Sequence, residues 1–352
     1  MDVGRRCASM DWIKPEYNKK TVRKAGKAVA KGDFNNIDQA FAYNVINNWR
    51  SAHAYPLQPL YLLGKRYAEE HEGVVVVQRL KRLESIAAKL SRFPAMGLET
   101  MQDLGGCRVI VSRMAEIDNI IKLYTNSKLE SKLFKINDYV AQPKDDGYRS
   151  IHLIYQYDGA KPEYVGLKSE IQIRTALQHS WATAVEALSL RKRVNLKAGE
   201  GDEKTLRYMA LISALFSIEE STPLSRHVPQ NALDISSKVK QINRESNALN
   251  TIRAIQMLPT FSGGRENPRD YYVIRVDAST GESKVYSYDV TQFEAAADFC
   301  AEIEKSNHGA FAVLVSASDA NSLLKAYPNY LADAKLFVEQ VEALIKKYDE
   351  QA

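Results

Sequence analysis

The sequence predicts an α+β protein, on three observations. Two runs, SIHLIYQY (150–157) and SEIQIRT (169–175), alternate polar and apolar residues with the period of two that a half-buried strand requires. Several other segments place apolar residues at helical spacing. The last third spells a ββαβα order: strands at 271–277 and 284–290, a helix at 293–305, a strand at 311–316 and a helix at 320–347.

The 352 residues, 45% hydrophobic and 26% charged with a net charge of +5, describe a soluble globular chain of one large or two ordinary domains. No apolar run approaches the roughly 20 residues that span a bilayer, and the start of the sequence has no signal-peptide core. Cys7, Cys107 and Cys300 are odd in number and far apart, against both a disulfide framework and a structural zinc. A reducing cytoplasm is the expected location.

Taken in order, 19–31 reads as a helix broken near Gly32, and 36–49 as a second, amphipathic one. The opening segment is basic. Its Lys19, Lys20, Arg23 and Lys24 offer a surface for polyanions, which a solvated basic helix would also present. A turn is expected at 49–56, with Pro56 forcing Tyr55 away from helical angles, then a helix at 59–70. Within 74–90, Leu80, Leu83, Ile86, Ala87 and Leu90 make a helical stripe bordered by Arg79, Arg82 and Lys89. The segment MQDLGGCRVIVSR (101–113) is a loop feeding a strand, with Asp103 before two glycines and Arg108 opposite Cys107 and Val109. A helix at 114–124 follows.

The segment 138–175 concentrates the chemistry. Glu170, Gln172 and Arg174 fall at i, i+2 and i+4, so a strand puts them on one face while Ile171 and Ile173 enter the core. A carboxylate, an amide and a guanidinium in one row suit a phosphate and a metal ion better than packing. The first run repeats the device with Ser150 and His152. Ahead of it, Lys144, Tyr148 and Arg149 lie on a loop containing Gly147, where an aromatic can stack on a base while cations meet phosphates. Taken singly, His152 could be a core histidine and Asp103 a turn residue. Helices at 176–190 and 206–220 flank a charged loop, and 234–257 reads as a long polar helix before a loop at 259–268. No GxxxxGK[ST] phosphate loop is present.

Four segments in order, RLKRLESIAAKL, MQDLGGCRVIV, DYVAQPKDDGYRSIH and EIQIRT, resemble the synthetase domain of the RelA/SpoT alarmone synthetases over roughly a third of the chain. The resemblance implies a mixed β-sheet flanked by helices, related to nucleotidyltransferases. It also implies transfer of the β,γ-pyrophosphate of ATP to a ribose 3′-hydroxyl. By the same resemblance Arg79 and Lys89 contact ATP, Arg108 lies near the adenine, and Gln172 and Arg174 complete the ATP-binding strand. Asp103 binds magnesium (Mg2+), joined by Glu170, which also helps activate the attacking hydroxyl. His152 lies beside Tyr148, which stacks on the acceptor's base, and Lys144 and Arg149 accompany it.

The C-terminal third is similar to that of CapRel-type fused toxin–antitoxin synthetases, on its ββαβα order and on KAYPNYLADAKLF with Tyr327 and Tyr330. That likeness implies an acceptor at the 3′ end of tRNA, which the basic Lys19, Lys20, Arg23 and Lys24 also favour, since they would neutralise its phosphates. It further implies autoinhibition through the two tyrosines and release by a phage capsid protein. Tyr327 and Tyr330 could equally cap a core. The expected divisions are a synthetase domain at 1–225, a helical linker at 226–268 and a regulatory domain at 269–352. The competing readings are a small alarmone synthetase using a guanine or adenine nucleotide as acceptor, and an inactive nucleotide-binding module.

Overall fold

A computed structural model describes residues 12–192, 194, 196, 199–246, 248–253, 260–262, 271–277, 283–305, 310–317 and 335–351. Helix α1 (Lys19–Lys31) starts at Asn18, whose side chain accepts from the Thr21 amide at 3.0 Å, and stops at Gly32 with φ +64°. Helix α2 (Gln39–Ala52) is capped in the same way by Asp38. The turn expected at 49–56 is confined to His53. Helix α3 (Ala54–Glu70) begins immediately after His53 and includes Tyr55 and Pro56. Pro56 lies in its first turn, where a missing N–H removes no intrahelical bond.

The valine run also departs from expectation. Strand β1 (Val75–Leu80) takes Arg79 and Leu80, and helix α4 (Leu83–Arg92) starts only after Arg82. Its β-branched residues suit a central strand, and β1 pairs along its whole length with β2 (Gly105–Val111). Helix α5 (Met114–Asn126) then leads to β3 (Ser131–Asp138), a strand the sequence reading lacked. Strands β4 (Ile151–Tyr157) and β5 (Lys168–Thr175) fall on the two alternating runs.

Beyond β5 come α6 (Ala176–Lys192), α7 (Glu203–Glu219), α8 (Ala232–Ser246) and α9 (Ala248–Arg253), where one long helix was expected for the last two. A short β6 (Thr260–Ser262) lies in the expected loop. It is followed by β7 (Tyr271–Asp277), β8 (Ser283–Tyr288), α10 (Phe293–Lys305), β9 (Ala310–Ala317) and α11 (Lys335–Asp349).

The strands form one mixed sheet of order β3-β4-β5-β2-β1-β9-β7-β8-β6. Strands β2 and β5 are parallel, β1 is antiparallel to both β2 and β9, and β4 is antiparallel to β3 and β5. Residues paired across neighbouring strands share a face, so the register sorts the side chains. The back face (Val76, Cys107, Val109, Ile171, Ile173, Leu153) packs on Leu57, Leu60 and Tyr61 of α3 and on Ile117, Ile120 and Tyr124 of α5. The front face carries the polar row. Val77, Arg108, Gln172 and His152 are successive partners, and Arg79, Gly106 and Glu170 are the next set.

Two further apolar clusters support this sheet. Helices α1, α2 and α4 join the face of β7 and β9 that bears α10, with Trp12 against Phe293 at 5.7 Å between ring centres. Helix α11 packs Phe337, Val338, Val341, Leu344 and Tyr348 into a cluster with α6, α7, α8 and α9.

Candidate active site

The front face of β4 and β5 holds a closed hydrogen-bonded circuit. Glu170 Oε1 lies 2.9 Å from His152 Nδ1, and His152 Nε2 lies 2.7 Å from the Tyr148 phenol oxygen. Arg174 Nη2 donates to that phenol oxygen at 2.6 Å and to Gln172 Oε1 at 3.0 Å. Gln172 Nε2 donates back to Glu170 Oε2 at 2.6 Å. A carboxylate only accepts, so Nδ1 carries the imidazole proton and Nε2 accepts from Tyr148 in the neutral ring. Five predicted residues thus fix one another's rotamers.

Burial pushes the Glu170 carboxyl up, but His152 and Gln172 more than offset it, so the group stays below the ordinary glutamate value despite the repulsion of Asp103. Glu170 is therefore ionised at neutral pH. The Tyr148 phenol is pushed up, chiefly by burial and further by Glu170, against the pull of Arg174.

Asp103 lies just ahead of β2, between two cations: Lys81 Nζ at 3.0 Å and Lys89 Nζ at 2.9 Å, both on Oδ2. Burial alone would raise its pKa, and the two lysines hold it well below the carboxylate range. Asp103 precedes by three residues Gly106, the β2 partner of Glu170, so the parallel pairing of β2 and β5 brings the two acids to the same end of the sheet. Between Arg79 and Glu170, Gly106 supplies no side chain, which leaves a gap in the front face.

The donor set fits magnesium. Asp103 Oδ1 is buried with no hydrogen-bond partner, an orphan that a hard cation would satisfy. Among the described residues no cluster of three or more His, Cys, Asp or Glu could hold a metal alone. Magnesium commonly takes one or two carboxylates and completes its shell with substrate phosphates and water, so Asp103 and Glu170 suffice.

Lys89 reaches Asp103 from α4, half-buried Arg79 stands on the front face of β1 as the partner of Gly106, and Arg108 is buried beside Gln172. Lys144 lies over two rings, 4.4 Å from the centre of Tyr139 and 5.0 Å from that of Tyr148. Tyr139 meets Tyr148 and His152 edge-on at 5.9 and 5.1 Å. Arg149 departs from expectation. It turns away from the pocket, is 3% exposed, and donates to the Pro223 carbonyl at 2.8 Å and to Ser213 Oγ at 3.3 Å. It precedes β4 by two residues, and its contacts lie with Ser213 of α7 and Pro223, away from the partners of Tyr148.

Lys19, Lys20, Arg23 and Lys24 are exposed on α1, and Arg23 pairs with Glu99 at 2.6 Å. Lys19 approaches Lys168, whose ammonium is pushed down by burial and then by Lys19. Tyr327 and Tyr330 lie outside the described residues.

Sequence reasoning missed Lys81 and Tyr139. Lys81 follows Arg79 by two, a spacing that shares one side of an extended segment, but a helical reading of that stretch hides it. Tyr139 sits at the end of the unforeseen β3. No described helix is long and apolar enough to cross a membrane.

Comparison with known proteins identifies the family. The model for the region found in RelA and SpoT proteins matches residues 78–193. The GTP pyrophosphokinase YjbM of Bacillus subtilis (strain 168) is 30% identical over 183 residues, which cover 50% of this chain and 82% of the relative. The GTP pyrophosphokinase YwaC of the same organism is 29% identical over 169 residues, covering 46% and 72%. Among solved structures, small alarmone synthetase 1 from Bacillus subtilis bound to its product pppGpp aligns at 25% identity and a TM-score of 0.41, covering 52% of this chain and 94% of that one. The chain belongs to the RelA/SpoT family and is a pyrophosphokinase of the small alarmone synthetase type.

Proposed function

We propose that the chain transfers the β,γ-pyrophosphate of ATP to the 3′-hydroxyl of tRNA, with the front face of β2, β4 and β5 as its active site. The observation that supports the transfer is the Glu170 circuit on β5 beside the lysine-clamped Asp103 at the entry to β2. Arg79, Lys81, Lys89 and Arg108 supply the positive charge that an ATP triphosphate and a charge-spreading transition state demand. The acceptor oxygen attacks the β-phosphorus, the bond from that phosphorus to the α,β-bridging oxygen breaks, and AMP leaves. The hydroxyl proton passes to Glu170, which is ionised and hydrogen-bonded to His152. Magnesium, held by Asp103 and Glu170, would neutralise charge on the phosphates. Tyr148, steadied by Arg174 and His152, offers its ring to the acceptor's terminal base.

The exposed cations of α1 support tRNA as the acceptor, since phosphate neutralisation there adds affinity without sequence preference. A second reading, a guanine nucleotide as acceptor, is favoured by the activity named for the two Bacillus relatives. Offering deacylated tRNA, GDP, GTP and AMP separately, each with γ-labelled ATP, distinguishes them: label in RNA supports the first, label in a free nucleotide the second. Replacing Lys19, Lys20, Arg23 and Lys24 with glutamate should then abolish RNA labelling while ATP binding persists.

Residues 1–225 carry this chemistry in our reading, and 269–352 restrain it, with Tyr327 and Tyr330 occluding the ATP site until a phage capsid protein binds. That part rests on the likeness to CapRel-type synthetases. Its test is the Tyr327→Ala, Tyr330→Ala double variant, which should be more active and more toxic to cells than the parent. Equal toxicity rejects the inhibitory role.

A further inference from the structure

Behind the active site, the neighbours of Tyr148 and Arg174 are both tied to one helix, α7. Arg149 follows Tyr148 and Thr175 follows Arg174, and both are buried on the side away from the pocket. Glu220, at the C-terminal end of α7, accepts a hydrogen bond from the Thr175 hydroxyl and another from Gln178 Nε2 at 2.8 Å. Its charge also acts on the Arg149 guanidinium. The rest of the loop is tied to the same helix: Ser213 Oγ, which accepts from Arg149, donates to the Gly147 carbonyl at 2.5 Å.

We infer that Arg149, Glu220 and Thr175 are positioning residues for the transfer, setting the distance between Tyr148 and Arg174 from behind. This rests on the proposed role of Tyr148 in holding the acceptor. In front, Tyr148 and Arg174 share one hydrogen bond at 2.6 Å. Behind, helix α7 holds the residues next to them, Arg149 through Ser213 and Thr175 through Glu220 at its C-terminal end. The two links close a ring, so the acceptor platform cannot move relative to β5 without breaking one. The Asp103–Lys81–Lys89 group stands outside this ring. Loss of the rear tie should therefore spare ATP binding and weaken the acceptor's.

The test is steady-state kinetics with labelled ATP and whichever of GDP, GTP or deacylated tRNA the parent chain labels, for Glu220→Ala, Glu220→Gln and Thr175→Val. We expect Glu220→Ala to raise the acceptor KM about tenfold, as displacement of a positioned group does, with the ATP KM nearly unchanged. Glu220→Gln, which keeps an oxygen for Thr175, should recover most of the loss, and Thr175→Val should fall between. If Glu220→Ala does not fold, Thr175→Val carries the test, because it removes one hydroxyl without changing shape. An unchanged acceptor KM in a folded variant overturns the inference while the pyrophosphokinase reading stands. So does an equal rise in both KM values. A parent chain that labels none of these three acceptors nor AMP overturns both.

Discussion

Arg174 meets Tyr148 in two ways: its Nη2 donates to the phenol oxygen at 2.6 Å, and its guanidinium carbon lies 5.1 Å from the centre of the ring. The phenol is thereby fixed between Arg174 and His152 while the ring remains half-buried. Tyr148→Phe keeps the ring and frees both partners. It should lower kcat/KM for the acceptor about tenfold, and Tyr148→Ala should lower it further. Equal kinetics for the parent and Tyr148→Phe would show that the hydroxyl is idle.

Gly147 holds φ +90°, and a Cβ there would come within 2.9 Å of Ser213 Cβ, 3.1 Å of Ala210 Cα and 3.1 Å of Trp181 Cζ2. Gly147→Ala therefore combines a left-handed backbone with collisions that include main chain. Stability should fall by about 1–3 kcal/mol from the backbone alone, read by urea denaturation, and acceptor turnover should fall with it. A variant as stable as its parent contradicts this geometry.

Lys81 shares Asp103 with Lys89. Lys81→Ala leaves the buried acid with one cation and removes charge from the triphosphate's path. We expect kcat/KM for ATP to drop on the order of a hundredfold, with the acceptor KM preserved. A rise confined to the acceptor KM would move Lys81 to the other substrate.

Much of this was legible in the sequence. The alternation of 150–157 and 169–175 gave the faces of β4 and β5, and the i, i+2, i+4 row of Glu170, Gln172 and Arg174 stands as expected on the front face. The limits of β7 and α10 agree residue for residue. Strand β1 was obscured because its identity depends on pairing with β2 and β9, distant in the chain, whereas RLKRLESIAAKL has helical periodicity throughout. Strand β3 is an edge with Lys132, Lys135, Phe134 and Ile136 exposed, so burial imprints no alternation on it. Arg149 looked like a substrate cation because composition cannot say which side of a strand start a residue takes. Its partners, Ser213 and Pro223, are more than sixty residues away.

His53 is buried at the junction of α2 and α3, with Nδ1 donating to the Trp49 carbonyl at 2.7 Å, and burial pushes its pKa down to about 4. The unfolded chain takes up a proton near pH 6.5 that the folded one refuses. Its contribution is thus full above pH 6.5 and is lost as pH falls toward 4, by at most about 3 kcal/mol. Denaturation at pH 7 and pH 5 should show this loss in the parent and a smaller one in His53→Gln. Identical losses would assign the acid sensitivity elsewhere.

Helix α11 is part of a core: Phe337 is 1% exposed and meets Phe216 at 6.0 Å, and Lys347 and Tyr348 both bind Glu219. Phe337→Ala should cost about 3–5 kcal/mol. A loss under 1 kcal/mol in chemical denaturation would mean that α11 is not docked in solution.

The most direct measurement uses ATP labelled on its β-phosphorus and follows both products. Pyrophosphate transfer predicts AMP and labelled acceptor in equal amounts from the parent chain, and neither from Glu170→Gln or Asp103→Asn. Formation of ADP that retains the label, or undiminished transfer by Glu170→Gln, would contradict the account.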